Sequence, residues 1–300
     1  MKSKYEQYTL LLGKGYALNV YLPALAAINY KKIVLVESAK NQINDFYINK
    51  EINWINENDI NNYKFSKIII AEPPNKQYHL ICKLDLWKNS YNFILEKPAS
   101  ENPEKAKFLF NILNKNNIKY SINYSFRYTR WFSDIYSYCS NNKLKDAINV
   151  NWNFNGRYWE RPKPTWKTNS LLGGGVIKYY GIHLIAVFSD IGYTSSKVKN
   201  IFYHAKECPS LLSCDLFSKK GLPKVNLKIN SNSNKNQFYL NQNSKKILEI
   251  NSPFSLENSK KYEDNRIIPA INFLKEQHNV LLNIKNLNVL DLWSNIESQI

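Results

Sequence analysis

Along the first third of the chain, short apolar runs alternate with stretches in which apolar residues return every three or four positions. "YTLLLGKG" reads as a strand ended by glycines, and "VYLPALAAI" as a helix. "KIVLVES" and "KIIIAEPP" are further strands, one closing on an acidic residue and the other on prolines. "NKQYHLICKLDLWKNS" predicts a helix, "YNFILEKP" a fourth strand, "PEKAKFLFNILNKNN" a helix and "IKYSINYSF" a fifth strand. Strand and helix in strict alternation imply a doubly wound parallel sheet with right-handed crossovers, whose strand ends line up along one edge.

After Tyr124 the pattern changes. A helical stretch, "WFSDIYSYCSNNK", precedes the alternating "AINVNWNFNGRYW", and alternation returns in "KVNLKIN", "QFYLNQN" and "KILEIN". One-face alternation describes a sheet covered on one side only, as in an α+β domain built on an open-faced mixed or antiparallel sheet. "RIIPAINFLKEQHNVLLN" and "NVLDLWSNIESQI" read as two closing helices. The boundary falls near residue 122, giving an α/β nucleotide-binding unit over 1–122 and an α+β unit over 123–300. There is no internal repeat and no low-complexity linker.

A length of 300 residues with 44% hydrophobic residues is enough for two domains with sizeable cores. No run of about 18 apolar residues occurs, so no membrane span is expected, and the apolar stretch near the start is broken by Lys14, short of a signal segment. Cys82, Cys139, Cys208 and Cys214 form no Cys-x-x-Cys pair and have no His at metal spacing. That argues against a disulfide scaffold and a zinc site, and for reduced thiols in a cytoplasmic protein without a structural metal. The net charge of +17 raises nucleic acid as a partner, but 36 of the 41 basic residues are Lys scattered through an Asn- and Ile-rich chain. Base readout and stacking favour Arg, so no nucleic-acid partner is expected. Four of the five arginines, Arg127, Arg130, Arg157 and Arg161, fall in the middle of the chain.

Candidate chemistry begins at the first strand's end. In "LLGKGYALNVYLPAL", Gly13 and Gly15 stand between strand and helix, followed by Tyr16 and Ala17. Glycine allows a tight turn and close approach of the backbone to a pyrophosphate, which the N–H groups of a helix start then hold. Leu18 occupies the place of a third glycine. Glu37 closes the second strand about 20 residues on, where a carboxylate accepts from an adenosine ribose and disfavours a 2′-phosphate. This favours NAD(H) over NADP(H), although the neighbouring Ser38 and Lys40 also suit a phosphate.

The glycine turn, "EPPNKQYHLICKLDLWKNSYNFILEKPAS" and "WKTNSLLGGGVIKYYGIHLIAVFSDIG" follow one another in that order. Together they resemble the Gfo/Idh/MocA family of nicotinamide-dependent sugar and cyclitol oxidoreductases over about residues 8 to 190. The resemblance implies a Rossmann domain, with Glu72, Pro73, Gln77, Glu96, Lys97 and Asn123 around the cofactor. It also implies a cis peptide before Pro98 and two catalytic residues, Lys97 and His183. A Lys at that strand end donates to a sugar oxygen and stabilises an alkoxide, and a neutral imidazole takes up a hydroxyl proton. The sequence departs from the family where Tyr179 and Ala186 replace acidic residues and where Gln77 and Tyr21 replace histidines. Tyr179 either contributes a phenolic proton or packs.

On the substrate side, "NYSFRYTRWF" resembles the family's entry into the second domain, and Trp166 and Lys167 resemble a segment near the substrate. Arg127 and Arg157, among aromatic residues, suggest an anionic ligand such as a nucleotide-linked sugar. The resulting expectation is a sugar oxidoreductase of glycan biosynthesis, assembled as a homodimer or homotetramer through the C-terminal sheet. The alternative is a cofactor-binding relative, catalytically impaired, serving as a regulatory or assembly subunit.

Overall fold

The computed structural model describes residues 4–43, 52–141, 146–156, 158–160, 165–243, 245–257, 262–276 and 281–300. Six parallel strands form the first sheet: β1 (Thr9–Leu12), β2 (Ile33–Val36), β3 (Ile52–Ile55), β4 (Lys67–Ile70), β5 (Asn92–Glu96) and β6 (Lys119–Asn123). Their order is β3-β2-β1-β4-β5-β6. Strands such as Thr9–Leu12 and Ile33–Val36 are buried along their whole length because helices cover both faces, which is why they read as unbroken apolar runs. The chain reverses its direction of winding between β1 and β4, and in such sheets the crevice outside the carboxyl ends at that point takes ligands.

Helix α1 (Leu22–Ala27) continues from a wider turn at Ala17–Tyr21. Helix α2 (Pro74–Cys82) starts on Pro73 and Pro74 and is shorter than the predicted stretch, because Asp85 adopts a left-handed conformation (φ +53°) before a short 3₁₀ turn at Leu86–Asn89. Helix α3 (Pro103–Lys115) is capped by Asn102, whose side chain accepts from the Lys105 N–H at 2.9 Å. Strand β3 was not anticipated, since its four residues, only Ile55 of them buried, carry no continuous apolar run.

A 3₁₀ turn at Ser125–Tyr128 leads into α4 (Arg130–Asn141) and β7 (Ile148–Asn155). After a turn at Val176–Gly181 comes α5 (Ile182–Ile191), then β8 (Ser195–Ala205), β9 (Cys208–Phe217), β10 (Val225–Asn230), β11 (Asn232–Gln242) and β12 (Lys245–Ile250). The order is β12-β11-β7-β10-β9-β8. Only the β7–β10 pair is parallel, so this sheet is mixed. Ile148, Val150 and Trp152 of β7 point into the core, while Phe202 of β8 is 59% exposed.

Helices α6 (Ile267–Glu276) and α7 (Leu281–Glu297) fold back across the molecule. α6 packs on α1, while α7 packs on α3 and β6 as well as on α5 and β8. One continuous apolar core therefore joins the two sheets.

Candidate active site

The carboxyl ends of β5 and β6 lie side by side, with Glu96 paired to Asn123. The Glu96 carboxylate is buried and accepts from the Tyr21 hydroxyl at 2.7 Å and from Asn123 Nδ2 at 3.0 Å. Burial raises its pKa to about 7, against the opposing pull of Lys97 and these two donors. Burial likewise lowers Lys97 to about 8, with Glu96 opposing and the nearby positive charges of Arg266 and Lys167 adding to the fall. The two groups titrate as a pair. Lys97 donates one N–H to the Tyr179 carbonyl at 2.5 Å and sits 4.4 Å from the centre of the Tyr179 ring. The peptide bond between Lys97 and Pro98 is cis, as the resemblance implied.

Gln77 occupies a different place from the one expected of it. It is fully buried, its Nε2 donates to the carbonyls of Glu96 and Ala99 at 3.0 Å each, and its Oε1 accepts from the Glu96 N–H at 3.0 Å. The amide thus acts as a clamp behind the turn that presents Lys97, with both Nε2 hydrogens given to backbone carbonyls and the whole group buried.

His183 stands in the first turn of α5, 7% exposed, stacked on Phe126 with ring centres 4.6 Å apart. Its Nδ1 is buried without a partner. Burial, then the positive charges of Lys97 and Arg266, hold the imidazole well below its ordinary pKa, so it is neutral at pH 7. The three glycines before it are required by contact. A Cβ at Gly174 would lie 2.0 Å from the Trp166 carbonyl oxygen. Gly173 (φ +88°) packs on Pro74, at the start of α2, and Gly175 donates to the Lys167 carbonyl at 2.9 Å. The run thereby fixes Trp166 and Lys167 beside Tyr179. The Tyr179 ring meets Trp166 edge-on at 5.4 Å, and Lys167 donates to the Tyr158 hydroxyl. Tyr179 is held protonated by burial, its pKa well above the ordinary value. Ala186 is fully buried in α5.

At the glycine turn, Gly13 has φ +118° and a Cβ there would strike the Ala71 carbonyl oxygen at 2.4 Å, whereas Gly15 faces open space. Ala17 is buried, while Tyr16 is half-buried, with its hydroxyl 3.3 Å from Ser125 Oγ and 3.4 Å from Asn123 Nδ2. Glu37 follows β2 directly and its side chain is 48% exposed, 3.5 Å from Lys40. Ser38 donates to Glu57, Glu72 pairs with Lys76 at 2.7 Å, and Pro73 precedes α2.

Arg127 is a correction to the sequence reading. Its Nε lies 2.7 Å from Asp190 Oδ2, Nη2 donates to Asp190 Oδ1 at 2.8 Å and Nη1 donates to Asn286 at 3.2 Å, with all of it buried. The guanidinium joins the exit from β6 to α5 and α7, buried against Asp190 and Asn286 instead of facing an open cleft. Arg157 and Arg161 lie outside the described residues.

The residue that sequence reasoning missed is Arg266, far from the other arginines in the chain. It enters the site just before α6, with its guanidinium 5.2 Å from the centre of the Tyr16 ring. No local signal marked it, because only the return of the C-terminal helices brings it to the glycine turn. Among the described residues no group of three or more His, Cys, Asp or Glu could hold a metal ion, and no helix is long and apolar enough to cross a membrane.

No family model and no curated protein matches the sequence. Solved structures do match over nearly the whole chain. A 3-ketoreductase from Actinomadura kijaniata, in complex with NADP and TDP-benzene, has a TM-score of 0.70 at 9% identity, covering 99% of this chain and 98% of its own. The WlbA dehydrogenase from Thermus thermophilus, in complex with NAD and UDP-GlcNAcA, has a TM-score of 0.69 at 13% identity, with coverages of 97% and 94%. A myo-inositol dehydrogenase from Corynebacterium glutamicum has a TM-score of 0.68 at 14% identity, with coverages of 98% and 96%. Such neighbours are oxidoreductases of the Gfo/Idh/MocA type, so the two-sheet fold is the one the sequence resemblance implied.

Proposed function

We propose that this chain is a nicotinamide-dependent oxidoreductase that moves a hydride between its coenzyme and a sugar carbinol or ketone. The observation that carries the reading is the meeting of Lys97, from the first sheet, with the segment of Tyr179 and His183 from the second unit, beside the glycine turn. The substrate class we favour is a nucleotide-linked or otherwise anionic sugar of glycan biosynthesis, in a cytoplasmic protein. The 3-ketoreductase and WlbA, crystallised with TDP and UDP ligands, support that choice by fold likeness.

The residues present fit a nicotinamide dinucleotide. The open space at Gly15 lets a pyrophosphate approach the backbone, and the exposed Glu37 carboxylate suits ribose hydroxyls, which supports NAD(H) over NADP(H). A bound nicotinamide would deliver or accept the hydride. Lys97 keeps two ammonium N–H groups beyond the one given to Tyr179, enough to hold the sugar oxygen and to stabilise the negative charge that develops on it. His183, neutral at pH 7, can accept the hydroxyl proton in the oxidation direction. The unpartnered Nδ1 is a buried polar atom that the free protein leaves unsatisfied.

A second reading has its own observation. No carboxylate stands at Tyr179 or Ala186, as expected of a catalytically impaired subunit that still binds coenzyme. Either form is proposed to assemble as a homodimer or homotetramer through the open face of the second sheet, where Phe202, Tyr203 and Phe217 are exposed.

The test is a fluorescence titration with NADH and with NADPH, alongside the Lys97→Ala variant. Saturable binding, and oxidation of bound coenzyme by a panel of keto-sugar nucleotides that Lys97→Ala abolishes, is the expected result. Binding without turnover moves the conclusion to the impaired subunit, and binding of neither coenzyme overturns both.

A further inference from the structure

The arginines of this chain are used very unequally. Arg127 is locked on Asp190, and Arg130 is exposed at the start of α4. Arg266 differs from both. Its Nε and Nη2 donate to the two oxygens of Asp264 at 2.8 and 2.5 Å, a fork that fixes the plane of the guanidinium. That fork occupies one edge only. Nη1 makes no hydrogen bond to the described residues, and 36% of the side chain remains exposed.

Position adds to the case. Arg266 covers the ring of Tyr16, the residue directly after the glycine turn, and its charge is felt at Lys97, Tyr179 and His183. An open pocket of about 390 Å³ lies beside it, lined by Ser252, Phe254, Glu263, Asp264, Asn265 and Arg266. Because Glu263 and Asp264 are acidic, an anion is favoured there only against the free edge of the guanidinium. A rigid, half-occupied arginine fork at a cleft is suited to a second planar or tetrahedral oxyanion, since its geometry is set before the ligand arrives.

We propose that Arg266 is the residue that seats an oxyanion of the bound ligand, a phosphate or a carboxylate, on the guanidinium edge that Asp264 leaves free. The proposal rests on the reading of this cleft as the ligand site and names a specificity-determining residue for it.

Three probes test it on the intact chain: NADH, followed by fluorescence, and then UDP and glucuronate titrated into both NADH-loaded and free protein. Arg266→Gln is expected to weaken at least one probe by about ten-fold or more, the size of one lost charge-assisted hydrogen bond. Arg266→Lys should recover part of the loss, as a structural role alone would not require. Asp264→Asn releases the fork but also removes a carboxylate beside the oxyanion, so it should change the same probe by less than Arg266→Gln does. Loss confined to NADH assigns the oxyanion to the coenzyme. Loss of UDP or glucuronate with NADH retained assigns it to a substrate phosphate or carboxylate. Unchanged affinity for all three probes in Arg266→Gln overturns the proposal. If the wild-type protein binds neither NADH nor NADPH, the oxidoreductase reading fails by itself, and UDP and glucuronate binding to the free protein still decides the role of Arg266.

Discussion

Glu96 and Lys97 show how much of a site is set by one pair of neighbours. Each is shifted by burial away from its charged form, and each opposes the other's shift, so that they titrate near 7 and near 8. If Lys97 acts as proposed, through its ammonium form in the reductive direction, turnover should be half lost near pH 8 and keep falling above it. Glu96→Gln removes the carboxylate that favours the ammonium form, and the alkaline limb of kcat/KM against pH should move to lower pH. An unchanged limb would show that Lys97 does not set it. Neighbouring Gln77 contributes no charge yet holds both ends of the turn, and its need to donate to two carbonyls while accepting from one N–H explains why an amide stands there. Sequence alone offered Glu96, Lys97 and His183 as candidates through their flanking residues. It gave no sign of the partners of Arg127, because nothing local reveals that Asp190 and Asn286 arrive to accept from its guanidinium.

Among the elements, the glycine run before α5 is the most constrained. A methyl group at Gly174 would overlap the Trp166 carbonyl at 2.0 Å, and a Cβ and a carbonyl oxygen are each fixed to the backbone with no torsion to turn them apart. Gly174→Ala is therefore expected to displace the Trp166–Lys167 segment, lowering the melting temperature and any turnover together, as differential scanning fluorimetry and a coenzyme assay would show. The ion pair of Arg127 with Asp190 ties three elements. Arg127→Met leaves a buried carboxylate at Asp190 without its partner, a loss of about 3–5 kcal/mol measurable by denaturant unfolding. Because Arg127 touches no open space, coenzyme affinity of the folded variant should stay near the wild-type value. The strands of the first sheet were legible as apolar runs because both faces are buried, whereas β3 and the early end of α2 were not. A four-residue strand with only Ile55 buried has no continuous apolar run, and a left-handed Asp85 has no apolar signature.

On the scale of the whole molecule, the open face of the second sheet carries the prediction. Phe202, at 59% exposed, and Phe217 lie on adjacent strands of the covered-on-one-side sheet. Phe202→Asp should shift the mass measured by light scattering toward the monomer if that face joins copies of the chain, while leaving NADH binding intact. An unchanged mass would exclude Phe202 from the contact. The sequence by itself determined the alternation of strand and helix, the parallel sheet, the glycine turn and the candidate pair Lys97 and His183, because local period and turn chemistry are written in neighbouring residues. Only the tertiary structure decided which arginine reaches the cleft. The return of α6 and α7 across both sheets brings Arg266 to Tyr16 and Asn286 to Arg127, and contacts between segments so far apart in the chain leave no mark in either segment alone.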